Sequence, residues 1–218
     1  MHVLSWFDFL KSAGAGSEAG AAPAQLDIPL FPLGSVLFPG GVLPLKVFEQ
    51  RYLDMAAACL KDGTPFGVCL IAQGSEVGAP AVPHAVGTLA HIVASDMPQL
   101  GILLLDVRGG RRFRIVSQAA GAGGLLRARV ELLAEPAKQA VPAAQEGLLP
   151  LLRKIAGDLG PQRMPEPHAF DDAAWVGYRL TEVMPVQALA KQKLLELDDP
   201  VSRLEILFTY LAQRKLVG

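Results

Sequence analysis

Histidine, cysteine and clustered arginine are the side chains of this sequence whose chemistry could define a function. His2, His84, His91 and His168 lie far apart, and neither they nor Cys59 and Cys69 fall at the short paired spacings that hold zinc. The chain has no G-x-x-x-x-G-K-[ST], no H-E-x-x-H and no G-x-S-x-G. GAGSEA at 14 to 19 fits a loose dinucleotide-binding pattern, but no strand precedes it and its small residues read as linker. His91, inside an apolar strand-like segment, reads as structural rather than catalytic. Arg108, Arg111, Arg112 and Arg114 form the dense basic cluster, and Gly109-Gly110 between them is a hairpin signal. With a formal net charge of -1 over the chain, that cluster reads as a solvated hairpin tip before it reads as a phosphate site. The residue patterns give no catalytic set, no cofactor and no metal site, which leaves binding as the expected role.

The 218 residues are 51% hydrophobic and 19% charged, the balance of a soluble globular chain with a sizeable core. Its near-neutral charge argues against nucleic acid and against an acidic membrane surface as partners. The charge-free apolar runs fall short of the ~18 residues that suggest a membrane span. Cys59 and Cys69 lie in helix-like and strand-like segments and read as buried thiols, which fits a reducing, cytoplasmic setting, with a single disulfide between them as the alternative. Residues 1–25 read as a flexible N-terminal tail: MHVLSWFDFLK is a short amphipathic segment, and AGAGSEAGAAPAQ is linker. No Lys or Arg precedes the apolar stretch and Asp8 interrupts it, which argues against a secretory signal.

The elements that must position any binding residue begin with IPLFPLGSVLFPGGVLPLKVFEQRY, residues 28–52. Pro29, Pro32, Pro39 and Pro44 cannot donate to a sheet ladder, so this apolar stretch reads as short extended pieces meeting at edges and corners. FPGG at 38–41 is a turn, and Pro44 in the strand VLPLKVF must face an unpaired edge or a bulge. Phe48, Tyr52, Met55, Ala56, Cys59 and Leu60 recur at helical spacing, predicting a helix over 48–61 that Gly63 ends. FGVCLI, VGTLAHIVAS, GILLLDV, RRFRIVS and LLRARVELLAE then carry strand patterns. About six strands with one inserted helix point to a small, partly closed β-barrel over residues 26–135, because closure removes edges.

Past Pro136 the period becomes helical, which predicts a C-terminal helical bundle over residues 136–218 and an α+β chain overall. Its segments are EGLLPLLRKIAGDL, DDAAWVGYRLTEVM, VQALAKQKLLEL and PVSRLEILFTYLAQRKL. Asp199 can cap the last, Pro200 suits its first turn, and Leu204, Leu207, Phe208 and Leu211 form its stripe. Pro185 suits the start of the third segment, and Pro150 should kink or split the first.

The proline-rich stretch closely resembles the opening signature of the Lon substrate-binding domain, the amino-terminal domain of Lon proteases. The resemblance continues through FGVCLI, VGTLAHI, GGRRFRI, WVGYRL, KQKLLEL and DDPVSRLEIL, and covers roughly residues 26 to 214. It implies a PUA-like barrel followed by a helical bundle, and a non-enzymatic module that engages protein or peptide segments, unfolded or apolar ones among them. The alternative by analogy with other PUA-like barrels is an RNA-binding module. Lys46 and Gln50 stand where members of the family more often carry His and Pro. The chain shows no ATPase phosphate loop, and its length is too short for a serine-lysine protease domain, so a stand-alone binding domain is expected.

Such a module needs a concave apolar patch rimmed by a few polar groups, and the junction of barrel and bundle is the expected place. The candidate binding residues are Lys46, Phe48, Glu49, Arg51 and Tyr52, with Arg112 and Arg114 reached from the hairpin. For Glu49 and Arg51 a structural role at the helix start is favoured over a ligand-facing one. Phe48 is expected in the core more than Tyr52.

Overall fold

The computed structural model describes residues 24–217; most of the tail read over residues 1–25 therefore lies outside the described residues. Seven strands form one mixed assembly: β1 (Gln25–Leu33), β2 (Val42–Val47), β3 (Phe66–Gln73), β4 (Val82–Pro83), β5 (Val86–Gln99), β6 (Ile102–Ala120) and β7 (Leu126–Leu132). The pairing order is β1-β7-β6-β5-β3-β4, with β2 beside β6. β1 pairs antiparallel with β7 over its first half and parallel with β3 over its second, so the path of pairings returns to its start. One helix, α1 (Gln50–Asp62), is inserted between β2 and β3. Among the described residues four more α-helices follow the strands: α2 (Leu148–Arg163), α3 (Ala173–Val183), α4 (Ala188–Glu196) and α5 (Pro200–Gln213).

The prolines sit where their missing N–H groups are not needed. Pro39 and Gly40 make the turn after Phe38, closed by the Gly41 N–H donating to Phe38 O at 3.0 Å with Gly40 at φ 73°. Pro44 lies in β2, which among the described residues pairs on one side only, with β6. The Gly109 N–H donates to Gly41 O, and the register runs from Val42↔Arg108 to Val47↔Leu103. Antiparallel bonding alternates, so the amides of Leu43, Leu45 and Val47 face β6, and the backbone polar groups of Val42, Pro44 and Lys46 face away. Pro44 is therefore an edge proline at an outward position.

The hairpin expected at Arg108-Gly109-Gly110 does not exist. Both of its arms belong to β6, one continuous strand of 19 residues, and the chain reverses instead at Leu100-Gly101. The two glycines answer a different need, close approach. A Cβ on Gly109 would lie 2.1 Å from Phe38 O, and one on Gly110 would lie 2.8 Å from His91 Nε2. β6 thus passes directly against the Pro39-Gly40 turn and holds it by two backbone bonds, Gly40 N–H to Gly109 O (2.7 Å) and Gly109 N–H to Gly41 O (2.8 Å).

α1 begins two residues later than its apolar period suggests and closes on Gly63 in the left-handed conformation. Tyr52, Met55, Ala56 and Cys59 pack with Phe31, Leu45, Val47, Phe66 and Val107 in the core beneath it, whereas Leu60 is exposed. A second apolar cluster inside the strands joins Ile28, Leu30, Cys69, Phe113 and Val130. Both cysteines are free and buried, and burial pushes each thiol pKa up.

The helices enclose their own cluster, including Leu148, Leu152, Val176, Leu180, Leu204, Leu207 and Leu211. Asp199 accepts from Ser202 N at 2.7 Å as the cap of α5, with Pro200 in its first turn. Pro150 neither kinks nor splits α2: it is that helix's third residue, where N–H groups have no intrahelical partner anyway. The break comes at Gly160, φ 71° and ψ 175°, just before Pro161. Pro185 lies in the connection between α3 and α4, ahead of the helix it was expected to start.

Strands and helices are joined by a shared apolar patch of Phe38, Val86, Ala174, Tyr178 and Leu195. Polar ties cross the same boundary: Gln192 Nε2 to Val86 O (3.0 Å), Arg179 Nη2 to Pro39 O (2.6 Å) and Arg112 Nη1 to Leu195 O (2.8 Å).

Candidate functional site

Four of the seven candidate residues, Lys46, Phe48, Glu49 and Tyr52, meet at one concavity. It is a slot of about 340 Å3 where β2 leads into α1, walled by Phe31, Leu33, Leu43, Leu45, Val47 and Val77 together with the polar Ser35 and Glu76, the latter accepting from Gly34 N–H. Tyr52 is 6% exposed and stacks on Phe31 with ring centroids 4.1 Å apart, while Phe48 is 52% exposed at the rim. The order expected for the two aromatics is thus reversed. Phe48 precedes the helix instead of opening its stripe, so it stays at the surface, and Tyr52 takes the inward position.

Glu49 occupies the N-cap position of α1 without making a side-chain cap bond. Its carboxylate pairs with Arg51 Nη2 at 2.9 Å instead. Arg51 is nearly buried, donates to Gly124 O at 3.2 Å and lies over the Tyr52 ring at 4.6 Å. Arg51 therefore braces α1 against the β6–β7 connection and turns its charge away from the slot. Burial of Tyr52 raises its phenol pKa, offset in part by the neighbouring Arg51.

Arg112 and Arg114 lie elsewhere. Arg112 is 3% exposed, not at a solvated tip: it donates to Leu195 O, and its Nη2 meets Asp198 Oδ1 at 2.9 Å. A guanidinium on the carbonyls at the end of α4 is the favourable pole for a cation. Arg114 is exposed on β6 beside Glu131 of β7, outside both clefts.

The larger cleft, about 1210 Å3, lies at the junction of strands and helices and contains none of the seven candidates. Segment 34–37, β2 residues 42–44, Asp106 and Arg108 form one side; Arg163, Met164, Glu182, Val183 and Lys191 form the other. Ser35, Leu43 and Pro44 line both clefts, so the two are continuous along β2. At its helical wall, Glu182 pairs with the buried Arg179 at 3.1 Å, and Lys191 Nζ donates to the Glu182 carbonyl. Loss of solvent outweighs these cations and raises the Glu182 carboxyl pKa to about 7. Glu182 and Lys191 carry no local sequence signal that sets them apart from other charges in helical segments, so the sequence does not mark this wall. Among the described residues no group of His, Cys, Asp and Glu could hold a metal ion, and no helix is long and apolar enough to cross a membrane.

A family model described as the ATP-dependent protease La (LON) substrate-binding domain matches residues 27–213. The chain belongs to this family. It is 28% identical over 211 residues to the Lon protease of Desulfovibrio desulfuricans, which covers 90% of this chain and 24% of that protein. It is 31% identical over 133 residues to the Lon protease of Anaeromyxobacter dehalogenans, covering 56% of this chain and 16% of that one. The chain thus spans a quarter or less of these curated relatives. Among solved structures, the Lon N-terminal domain protein from Xanthomonas campestris superposes with a TM-score of 0.71 and 37% identity, covering 85% of this chain and 98% of that one. The N-terminal domain of the Mycobacterium avium complex Lon protease shares the fold at a TM-score of 0.57 and 20% identity, covering 86% of this chain and 98% of that one.

Proposed function

We propose that this chain is a non-enzymatic recognition module that binds protein segments carrying large exposed apolar side chains. The observation that carries this reading is Phe48, 52% exposed at the mouth of a slot that has Phe31, Leu33 and Tyr52 in its wall. Exposed apolar surface and aromatic anchors mark interaction sites, and here the two meet at one concavity. Membership in a family of substrate-binding domains supports the same partner class. We read the returning path of strand pairings as the small barrel and α2 to α5 as the bundle, two parts of one module that meet near residue 136. The two buried thiols suit a cytoplasmic setting.

The test is a binding titration of the full chain against a chemically unfolded, alkylated globular protein and against the same protein folded. The unfolded form alone should bind, and Phe48→Ser should weaken it at least tenfold. A single-stranded RNA oligonucleotide is the counter-probe. RNA retention that falls steeply with salt, without capture of the unfolded protein, would replace this reading with the RNA-binding one.

A further inference from the structure

The two clefts are joined by the outer edge of β2, which no strand pairs among the described residues, and that edge has the chemistry of a strand acceptor. Val42, Pro44 and Lys46 direct their backbone polar groups away from β6, as the register with β6 and the Gly109–Gly41 bond require. Across from that edge runs segment 33–37, and the space between is the groove itself. Pro44 removes one outward N–H, so the edge offers two donors, Val42 and Lys46, and three carbonyls. From Val42 to Val47 it spans about 16 Å at ~3.3 Å per residue, enough for five residues of an incoming strand.

We infer that an extended peptide adds to the outward edge of β2, with a large apolar side chain in the slot at Phe48 and carboxylates at the helical end of the groove. This rests on the proposed function and names the partner's conformation and charge. The apolar end follows from Phe31, Leu33, Leu45 and Tyr52 in the slot, whose two carboxylates are already engaged, Glu49 by Arg51 and Glu76 by the Gly34 N–H. The acidic end follows from charge. Arg108, Arg163 and Lys191 face the larger cleft together with Asp106 and Glu182. On the strand side Arg108 and Asp106 balance, and neither has a salt-bridge partner among the described residues. On the helical wall Glu182 is held by Arg179, so Arg163 and Lys191 give that end of the groove excess positive charge, which suits acidic residues four to five positions from the apolar one.

The probe is a fluorescein-labelled peptide, acetyl-Leu-Thr-Phe-Thr-Val-Thr-Asp-Asp amide, read by fluorescence anisotropy on the full chain. Two N-methylated versions are made, one methylated on each alternating set of amides. Strand addition requires that one set lose binding at least tenfold and the other keep it, because only every second amide faces β2. Replacing the two aspartates by lysines should weaken binding about tenfold. Lys46→Pro deletes an outward donor that β6 does not use, and should weaken binding more than Lys46→Ala, which keeps it. The N-methyl contrast is measured on the unaltered chain, so it decides even if Lys46→Pro does not fold. Equal binding by both N-methylated peptides overturns strand addition while leaving the recognition role standing. Failure of this peptide and of the unfolded protein to bind at all overturns both.

Discussion

Arg112 Nη2 lies 2.9 Å from Asp198 Oδ1, a contact between β6 and the chain just after α4 that spans 86 residues of sequence. Asp198 is well exposed, so this ion pair alone contributes little. The weight lies in the other nitrogen, which donates to Leu195 O in a buried setting. Arg112→Ala should therefore cost about 2–3 kcal/mol, from an unsatisfied carbonyl and the space left behind. Asp198→Ala should cost under about 1 kcal/mol. Urea unfolding of the two variants checks the asymmetry; equal losses would mean the exposed pair carries the joint.

Phe48 and Tyr52 should separate binding from stability. Phe48→Ser removes a half-exposed ring and should leave the unfolding midpoint nearly unchanged while weakening capture of unfolded protein. Tyr52→Ala removes a ring that is 6% exposed, stacked on Phe31 and covered by Arg51, and should cost about 3–5 kcal/mol. Thermal unfolding of both, beside the binding titration, shows whether the two roles divide this way.

Glu182 makes folding pH-dependent with a definite sign. Burial raises its carboxyl pKa from the ordinary 4.5 to about 7, against the pull of Arg179 and Lys191. Arg108 is the further charge near this pair, acting on Arg179 from β6. A carboxyl with a raised folded pKa binds its proton more tightly when folded, so its contribution is fully present below about pH 4.5 and is lost as pH rises through about 7. Glu182→Gln cannot titrate. The stability difference between wild type and Glu182→Gln should therefore shift in favour of the wild type as pH falls from 8 to 5. Urea midpoints of both proteins across that range test it; a constant difference would show that the ion pair holds the carboxyl in its normal range.

The sequence was most legible where one residue type has one backbone consequence. Pro39-Gly40 gave the turn, Gly63 the end of α1, Asp199-Pro200 the start of α5, and Pro44 the edge strand. The strand and helix periods gave the α+β order for the same reason, since alternation and helical spacing are local properties. Positions decided by distant neighbours were not legible. Arg112 alternates with apolar residues exactly as an exposed residue would, and only the end of α4 makes it buried. Phe48 fits the helical period, yet the helix starts after it. The slot was partly legible, because Lys46, Glu49 and Tyr52 are close in sequence; the larger cleft joins segments more than a hundred residues apart and left no local signal.

Gly109 and Gly110 show the same limit most sharply and supply the last prediction. Flanked by arginines between two apolar runs, they read as a turn, yet both are extended residues inside β6. At Gly109 a Cβ would stand 2.1 Å from the carbonyl oxygen of Phe38 and 3.0 Å from its carbon. That neighbour is backbone, held by the Gly40 and Gly41 bonds to Gly109 itself, so it cannot swing aside as a side chain would. Gly109→Ala must therefore push the Pro39 turn away, which breaks those bonds and strains the Arg179 contact to Pro39 O that ties α3 to the strands. A loss of about 3 kcal/mol or more is expected, at the upper end for a single methyl group. Gly110→Ala meets the ring of His91 instead, which lies on an exposed stretch of β5 and can rotate, so its cost should be smaller. Had these glycines formed a hairpin tip, both substitutions would cost a similar, modest amount of about 1 kcal/mol from the positive φ such turns need; a large loss at Gly109 with a smaller one at Gly110, measured by urea unfolding, is the signature of the packed crossing.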